Sequence, residues 1–284
     1  MALDLRQILG REDSVPSLPT IFHQLDAAVN DPRSSMRQVA EIISTDQSLS
    51  ARLLKLVNSA FFGFPSRIET ISHAVTIVGI QQLRDLALAT SILEMFRGIP
   101  VTLLDPKDFW HHSIACGMAA RILASYHQEP NVERFFVAGL LHDIGHLILY
   151  RHQSGPAKEA LLRCREEGSI LHQAERVLMG TDHAEVGGEL LNFWKLPPSL
   201  SEAARFHHLP AGAKRFPLEA SIVHLGDIIA NALQLGTSGE RHVPPLDPSA
   251  WEGLRLSVSI LSPAIHQLEQ QVSGAVALFL EDRR

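Results

Sequence analysis

The chain has 284 residues, of which 45% are hydrophobic and 20% charged, with a formal net charge of −6. That balance is ordinary for a globular chain, and its negative sign counts against a general nucleic-acid binder, which presents a basic face. Two cysteines, Cys116 and Cys164, exclude a disulfide framework, and the longest apolar runs, such as Phe135–Leu141, are too short to span a bilayer.

The opening residues, MALDLRQILGRED, lack a basic segment followed by an apolar run, so no secretory signal is expected and a cytoplasmic location is. Helical spacing then dominates. Ser34 and Ser35 stand where a helix would be capped. Thr45, Asp46 and Ser48 separate that helix from a second run in which Leu49, Leu53, Leu54, Val57 and Ala60 recur at helical spacing. Leu83, Leu86, Ala87 and Thr90 mark another. Pro100, Asp105 and Pro106 interrupt the pattern, and a boundary is expected at about residues 98–105, giving an N-terminal helical part (1–100) and a second part (101–284). Gly236–Pro248 reads as a loop before two C-terminal helices. No period-2 strand with a hairpin turn stands out, so the expected fold class is all-α.

Histidine is over-represented, 15 against 2 tyrosines and 3 tryptophans, and it is the commonest transition-metal ligand. The segment FFVAGLLHDIGHLILY sets His142 and Asp143 inside an apolar run, where an ionised aspartate costs several kcal/mol unless a cation pairs with it. Taken alone, such a pair reads as a satisfied core pair rather than a metal site. It has company. WHHSIACGMAARILA begins with His111 and His112, between which periodicity cannot choose. In TDHAEVGGELLNFW, His183 shares the apolar face of Val186, Gly187, Leu190 and Trp194. In SLSEAARFHHLP, His207 follows Leu200, Ala203 and Ala204, with His208 one step round. In SIVHLGDIIANAL, Asp227 is the only formal charge and lies on the face of Val223 and Ala230. Inward-facing carboxylates and imidazoles on separate helices are what a metal site in a helical bundle requires.

The order His112-Ser, then His142-Asp143 within LLHDIGHL, then a late Asp227 resembles the HD superfamily of metal-dependent phosphohydrolases. His183, His207 and His208 resemble the extended ligand set of its HD-GYP branch. The resemblance implies a binuclear centre in an HD-type helical bundle. His112, His142, Asp143 and Asp227 would hold one ion, and Asp143, His183, His207 and His208 the other, with Asp143 as the catalytic carboxylate. His112 is preferred to His111 because the family pattern is histidine then serine. The implied cofactors are two divalent transition-metal ions, iron first, then manganese or zinc.

The stretches VPSLPTIFHQL, EIISTDQSLSARLLKLVNSAFFG and ISHAVTIVGIQQLRDLALATSI, with the Asn58-Ser59 pair and the Ala74…Gly79 segment, resemble the HDOD family of bacterial signalling proteins. This likeness covers about residues 14 to 232 and implies a regulatory module with a signalling protein or a nucleotide as its partner. Two departures bear on activity. Cyclic di-GMP hydrolases of the HD-GYP type carry lysine where His146 stands, and a Gly-Tyr-Pro motif soon after the paired histidines; here Leu209-Pro210 follows. Cyclic di-GMP hydrolysis is therefore not expected. The alternative to a regulatory module is a metal-dependent phosphohydrolase acting on a nucleotide or cyclic dinucleotide.

His142 and His146 are four apart, one helical turn, a spacing that can share a metal, but Gly145 can break the helix first; His146 is therefore expected at the surface or behind the ligands, with ligation as the lesser alternative. His23, His73, His127, His152, His172, His224, His242 and His266 match no motif and are read as ordinary, although His224, three before Asp227, could stand behind the ligands. Arg84, Arg121 and Lys195 are candidate phosphate contacts, with a surface role favoured for each.

Overall fold

The computed structural model describes residues 16–59, 61–96 and 103–280. The opening segment read for a signal, position 60, and most of the expected 98–105 boundary lie outside those residues. The described chain is all-helical, with no strand. It divides into two compact units: among described residues, one holds 103–269, and the other holds 16–96 with 270–280.

The smaller unit carries α1 (Thr20–Asn30), α2 (Met36–Ser44), α3 (Gln47–Val57), α4 (Ile71–Val78) and α5 (Ile80–Met95). Its starts follow from local chemistry. Ser35 caps α2 through a capping box with Gln38, and Asp46 caps α3 by accepting from the Leu49 N–H. Such caps are each worth about 1 kcal/mol. Helix α3 ends at Val57, so the apolar spacing read onward from Leu49 stops there. Asn58 then clips the following loop, its amide donating to the Ile68 carbonyl at 2.7 Å and its carbonyl accepting the Ile68 N–H at 2.7 Å.

The larger unit carries α6 (Pro106–Tyr126), α7 (Val132–Leu141), α8 (Gly145–His152), α9 (Ser154–Glu167), α10 (Leu171–Met179), α11 (His183–Phe193), α12 (Pro198–Phe206), α13 (Pro217–Ala232) and α14 (Pro248–Leu254). The last helix, α15 (Leu261–Leu280), groups with this unit as far as Glu269. Helix α6 packs on α7 and α13, and α11 packs on α8 and α12. The crossing of α6 and α13 is tight: a Cβ on Gly226 would stand 2.9 Å from the Cys116 carbonyl oxygen. Beside it, Ala120, Leu123 and Phe135 pack against Ile222 and Leu225. This core sets the registers of α6, α7 and α13, and so fixes where their polar side chains point. No described helix is long and apolar enough to cross a membrane.

Candidate metal centre

Each candidate ligand is delivered by a helix or a helix end. His112 lies in α6 and is fully buried, while its neighbour His111 is half-exposed; the turn of the helix makes the choice that periodicity could not. Helix α7 ends at Leu141, and His142 and Asp143 occupy the turn before α8 begins at Gly145. That turn is pressed against α11, since a Cβ on Gly145 would come within 2.0 Å of the His183 carbonyl oxygen. His183 is the first residue of α11, Asp182 capping the helix by accepting the Glu185 N–H. His207 and His208 follow the end of α12, and Asp227 projects from α13.

All seven predicted residues come together. Asp143 stands at the middle and its two oxygens divide the imidazoles. Oδ2 lies 3.2 Å from His142 Nε2 and 3.7 Å from His112 Nε2. Oδ1 lies 3.3 Å from His183 Nε2 and 3.6 Å from His207 Nε2. Asp227 Oδ1 joins the first side, 3.1 Å from His112 Nε2 and 3.5 Å from His142 Nε2. His208 joins the second, its Nε2 2.8 Å from that of His183.

The imidazole tautomers are set from behind. The Nδ1–H groups of His142 and His207 donate to the Gly139 and Ala204 carbonyls, both at 2.7 Å, and that of His183 donates to Glu175 Oε2 at 2.6 Å. A neutral ring that donates through Nδ1 carries its lone pair on Nε2, the form in which it ligates a metal. In His142 and His207 that Nε2 is buried without a hydrogen-bond partner, although carboxylate oxygens stand close to it. Lone pair facing lone pair is repulsive unless a cation lies between, so the donor set fits a metal. Four groups of three ligand atoms lie within 4.8 Å of one another, three of them drawn from the predicted seven and the fourth made of Asp143, His146 and His183.

The electrostatics agree. Burial alone would raise Asp143 and Asp227, yet the surrounding imidazoles hold both carboxyls well below their ordinary range. Burial would depress His142 and His183, but Asp143 raises the first and Glu175 with Asp143 brings the second up to about 9. His207, depressed by burial and then by His142, falls to about 3. Where no metal is bound, a proton on His142 or His183 would take the place of a cation against Asp143 and Glu175.

Several contributors were not read from sequence. Glu175, on α10, is fully buried and accepts from both the backbone N–H and the ring of His183. Asn231 donates to Asp227 Oδ1 at 2.7 Å, one helical turn on. His224, read as ordinary, is buried behind the centre: its Nδ1–H donates to the His207 carbonyl at 2.7 Å and its Nε2 accepts the Asp247 N–H at 2.9 Å. His172 stacks on His208, centroids 4.1 Å apart. Of the two placements expected for His146, the surface one is corrected, because its ring is buried beside Asp143 and Glu175. Arg84 pairs with Asp85 and Asp26, Arg121 with Glu133, and Lys195 is exposed in a turn.

The loop after α13 covers the centre. Tyr150 donates to the Ser238 carbonyl at 2.8 Å, and Glu240 accepts the Leu171 N–H at 2.8 Å. A narrow cleft remains, lined by Asp143, His146, His183, His208, Asp227 and Asn231 on one side and by Ser238, Glu240 and Pro244 of the loop on the other, with Leu171 between; no lysine or arginine is among them.

Comparison with known proteins identifies this arrangement. The solved structure of an HDOD domain protein with unknown function from Geobacter sulfurreducens superposes with a TM-score of 0.79 at 25% identity, over 98% of this chain and 96% of that one. A Shewanella amazonensis SB2B protein named "Putative phosphohydrolase" superposes with a TM-score of 0.73 at 26% identity, over 98% and 97%. An uncharacterized protein of Treponema pallidum (strain Nichols) is 29% identical over 222 residues, which are 76% of this chain but 42% of that one, so the chain spans less than half the length of this curated relative. The HDOD domain family model matches residues 15–210, a span that takes in His112, His142, Asp143, His183, His207 and His208 and stops short of Asp227; the chain belongs to the HDOD domain family.

Proposed function

We propose that the chain is a signal-transduction module built around a centre for two divalent transition-metal ions that share Asp143. His112, His142 and Asp227 would hold one ion together with Asp143 Oδ2, and His183, His207 and His208 the other together with Oδ1. Imidazole and carboxylate donors suit iron, and after it manganese or zinc, better than calcium or magnesium. Such a pair supplies Lewis acidity toward an oxyanion when bound.

The observation that carries the regulatory reading is the cover over the centre. The covering loop is bonded to residues packed around the centre: Tyr150 stacks on His146, beside Asp143, with centroids 5.0 Å apart and binds Ser238, while His224 joins the His207 carbonyl to Asp247. Occupation of the centre would therefore be felt in a loop whose Val243 and Leu246 side chains are exposed. The cleft beneath it is narrow, has no lysine or arginine to meet a phosphate, and carries the Glu240 carboxylate. A signalling protein is the partner this surface suits.

Phosphohydrolysis is the second reading. It is favoured by the two-sided division of Asp143 and by the name of the Shewanella amazonensis relative. Metal analysis followed by assay decides between them. The protein purified without chelator is expected to carry iron, manganese or zinc and to leave bis(4-nitrophenyl) phosphate and a panel of cyclic dinucleotides uncleaved above the level of Asp143→Ala. Turnover above that control would favour the enzyme, and absence of bound metal would remove both readings.

A further inference from the structure

His146 belongs to neither donor set proposed above, yet it has the surroundings of a ligand. Its ring is 0% exposed, in the first turn of α8 and four residues after His142. Nε2 stands 3.9 Å from Asp143 Oδ1 and Nδ1 stands 3.2 Å from Glu175 Oε1, but neither nitrogen makes a hydrogen bond. With the Glu175 carboxylate opposite Nδ1, it is the buried Nε2 that stands without a partner, which is costly, and a ring that served only to fill space could be apolar. The His183 ring lies face to face with it, centroids 3.8 Å apart and planes 21° apart.

Glu175 addresses both rings. Its Oε2 accepts from the Nδ1–H and backbone N–H of His183, and its Oε1 faces Nδ1 of His146. One buried carboxylate thus places two stacked imidazoles with their Nε2 atoms toward the same oxygen, Oδ1 of Asp143. The ligand atoms of Asp143, His146 and His183 all lie within 4.8 Å of one another. An outer carboxylate that fixes the tautomer of an imidazole is the usual companion of a metal-bound histidine.

We propose that His146 is a metal ligand that joins Asp143 and His183 on one cation, with Glu175 as the positioning residue for both imidazoles. The inference rests on the two-ion reading above. It raises the Oδ1 side of the centre from three imidazoles to four, against two on the Oδ2 side, and it gives Glu175 a role that the sequence does not announce.

Cobalt(II) titration of the full metal-free chain, followed by visible absorption, tests it. Wild type is expected to bind two ions. His146→Leu should weaken one of them about tenfold or more and shift its absorption band, leaving the other as in wild type. Glu175→Gln should weaken the same ion by about 10–100-fold with a smaller band shift, since no ligand is lost. Added imidazole should restore the second ion to His146→Gly, a result that a merely structural residue would not give. If folded His146→Leu binds both ions with wild-type affinity and spectrum, or if imidazole fails to rescue His146→Gly, the inference is overturned while the two-ion reading stands. If wild type binds no cobalt, both fall together.

Discussion

At the scale of single residues, Asp143 and Asp227 are both buried carboxylates among imidazoles, but they are not equivalent. Asp143 faces two sets of imidazoles with two different oxygens, whereas Asp227 turns Oδ1 toward the imidazoles of one set, His112 and His142, and toward the Asn231 amide. Removing the shared ligand should therefore disturb both positions, and removing the terminal one should disturb a single position. Asp143→Asn is expected to lose both metal ions after desalting and Asp227→Asn to keep one, measured as the metal-to-protein ratio. Equal losses from the two variants would contradict the shared role of Asp143. In the other unit, Asn58 shows a residue acting on the backbone alone. Its side chain satisfies both the N–H and the C=O of Ile68. Asn58→Ala should cost about 1–2 kcal/mol, read as a lowered urea midpoint at unchanged slope, with metal content unaffected.

At the scale of elements, the helices themselves were legible. Apolar spacing, capping serines and aspartates, and the proline-rich stretch before α14 all correspond to observed features. The convergence of seven donors was legible as well, because each sits on an inward face or beside a recognisable motif. What stayed hidden depends on how elements meet. Gly145 starts α8 afresh, so the ring of His146 takes its direction from the new helix rather than from α7, and sequence spacing from His142 does not predict it. Glu175 sits on α10 among polar neighbours and is buried against His146 of α8 and His183 of α11. His224 faces the back of His207, a contact between α13 and the end of α12 that no local pattern encodes. The meeting of α8 and α11 is the joint on which this depends. Gly145→Ala would place a methyl group 2.0 Å from the His183 carbonyl oxygen and 2.6 Å from the Gly187 nitrogen. The contact is with backbone, so the helices must separate. The variant is expected to lose about 1–3 kcal/mol and to bind metal more weakly on the His183 side than on the His112 side, read by cobalt titration. Wild-type affinity on both sides would show that α8 and α11 can part without moving the donors.

At the scale of the whole molecule, the centre is a liability that metal binding would turn into stability. Three buried carboxylates and a ring of imidazoles are gathered where an apolar core would otherwise form, with no lysine or arginine among the residues lining the cleft beside them. A cation that binds the folded chain and not the unfolded one stabilises it by an amount set by free concentration over Kd. At a hundredfold excess over Kd this is about 2.7 kcal/mol for one ion. For a unit of this size each kcal/mol moves the melting temperature by roughly 2–4 °C. Stripping the metal with a chelator should therefore lower the melting temperature by roughly 5–10 °C for each ion removed, and re-adding it should restore the loss. Cys164 offers a second readout within the same unit. Burial first, and then the Glu240 and Glu175 carboxylates, push its thiol up to about 12, so it stays protonated and closed to disulfide reagents while the fold is intact. Labelling of Cys164 should be slow in the metal-loaded chain and faster after chelation, with a rate that follows the population of the opened unit. Were chelation to leave both the melting temperature and the labelling rate unchanged, the clustered carboxylates would have to be satisfied without a cation.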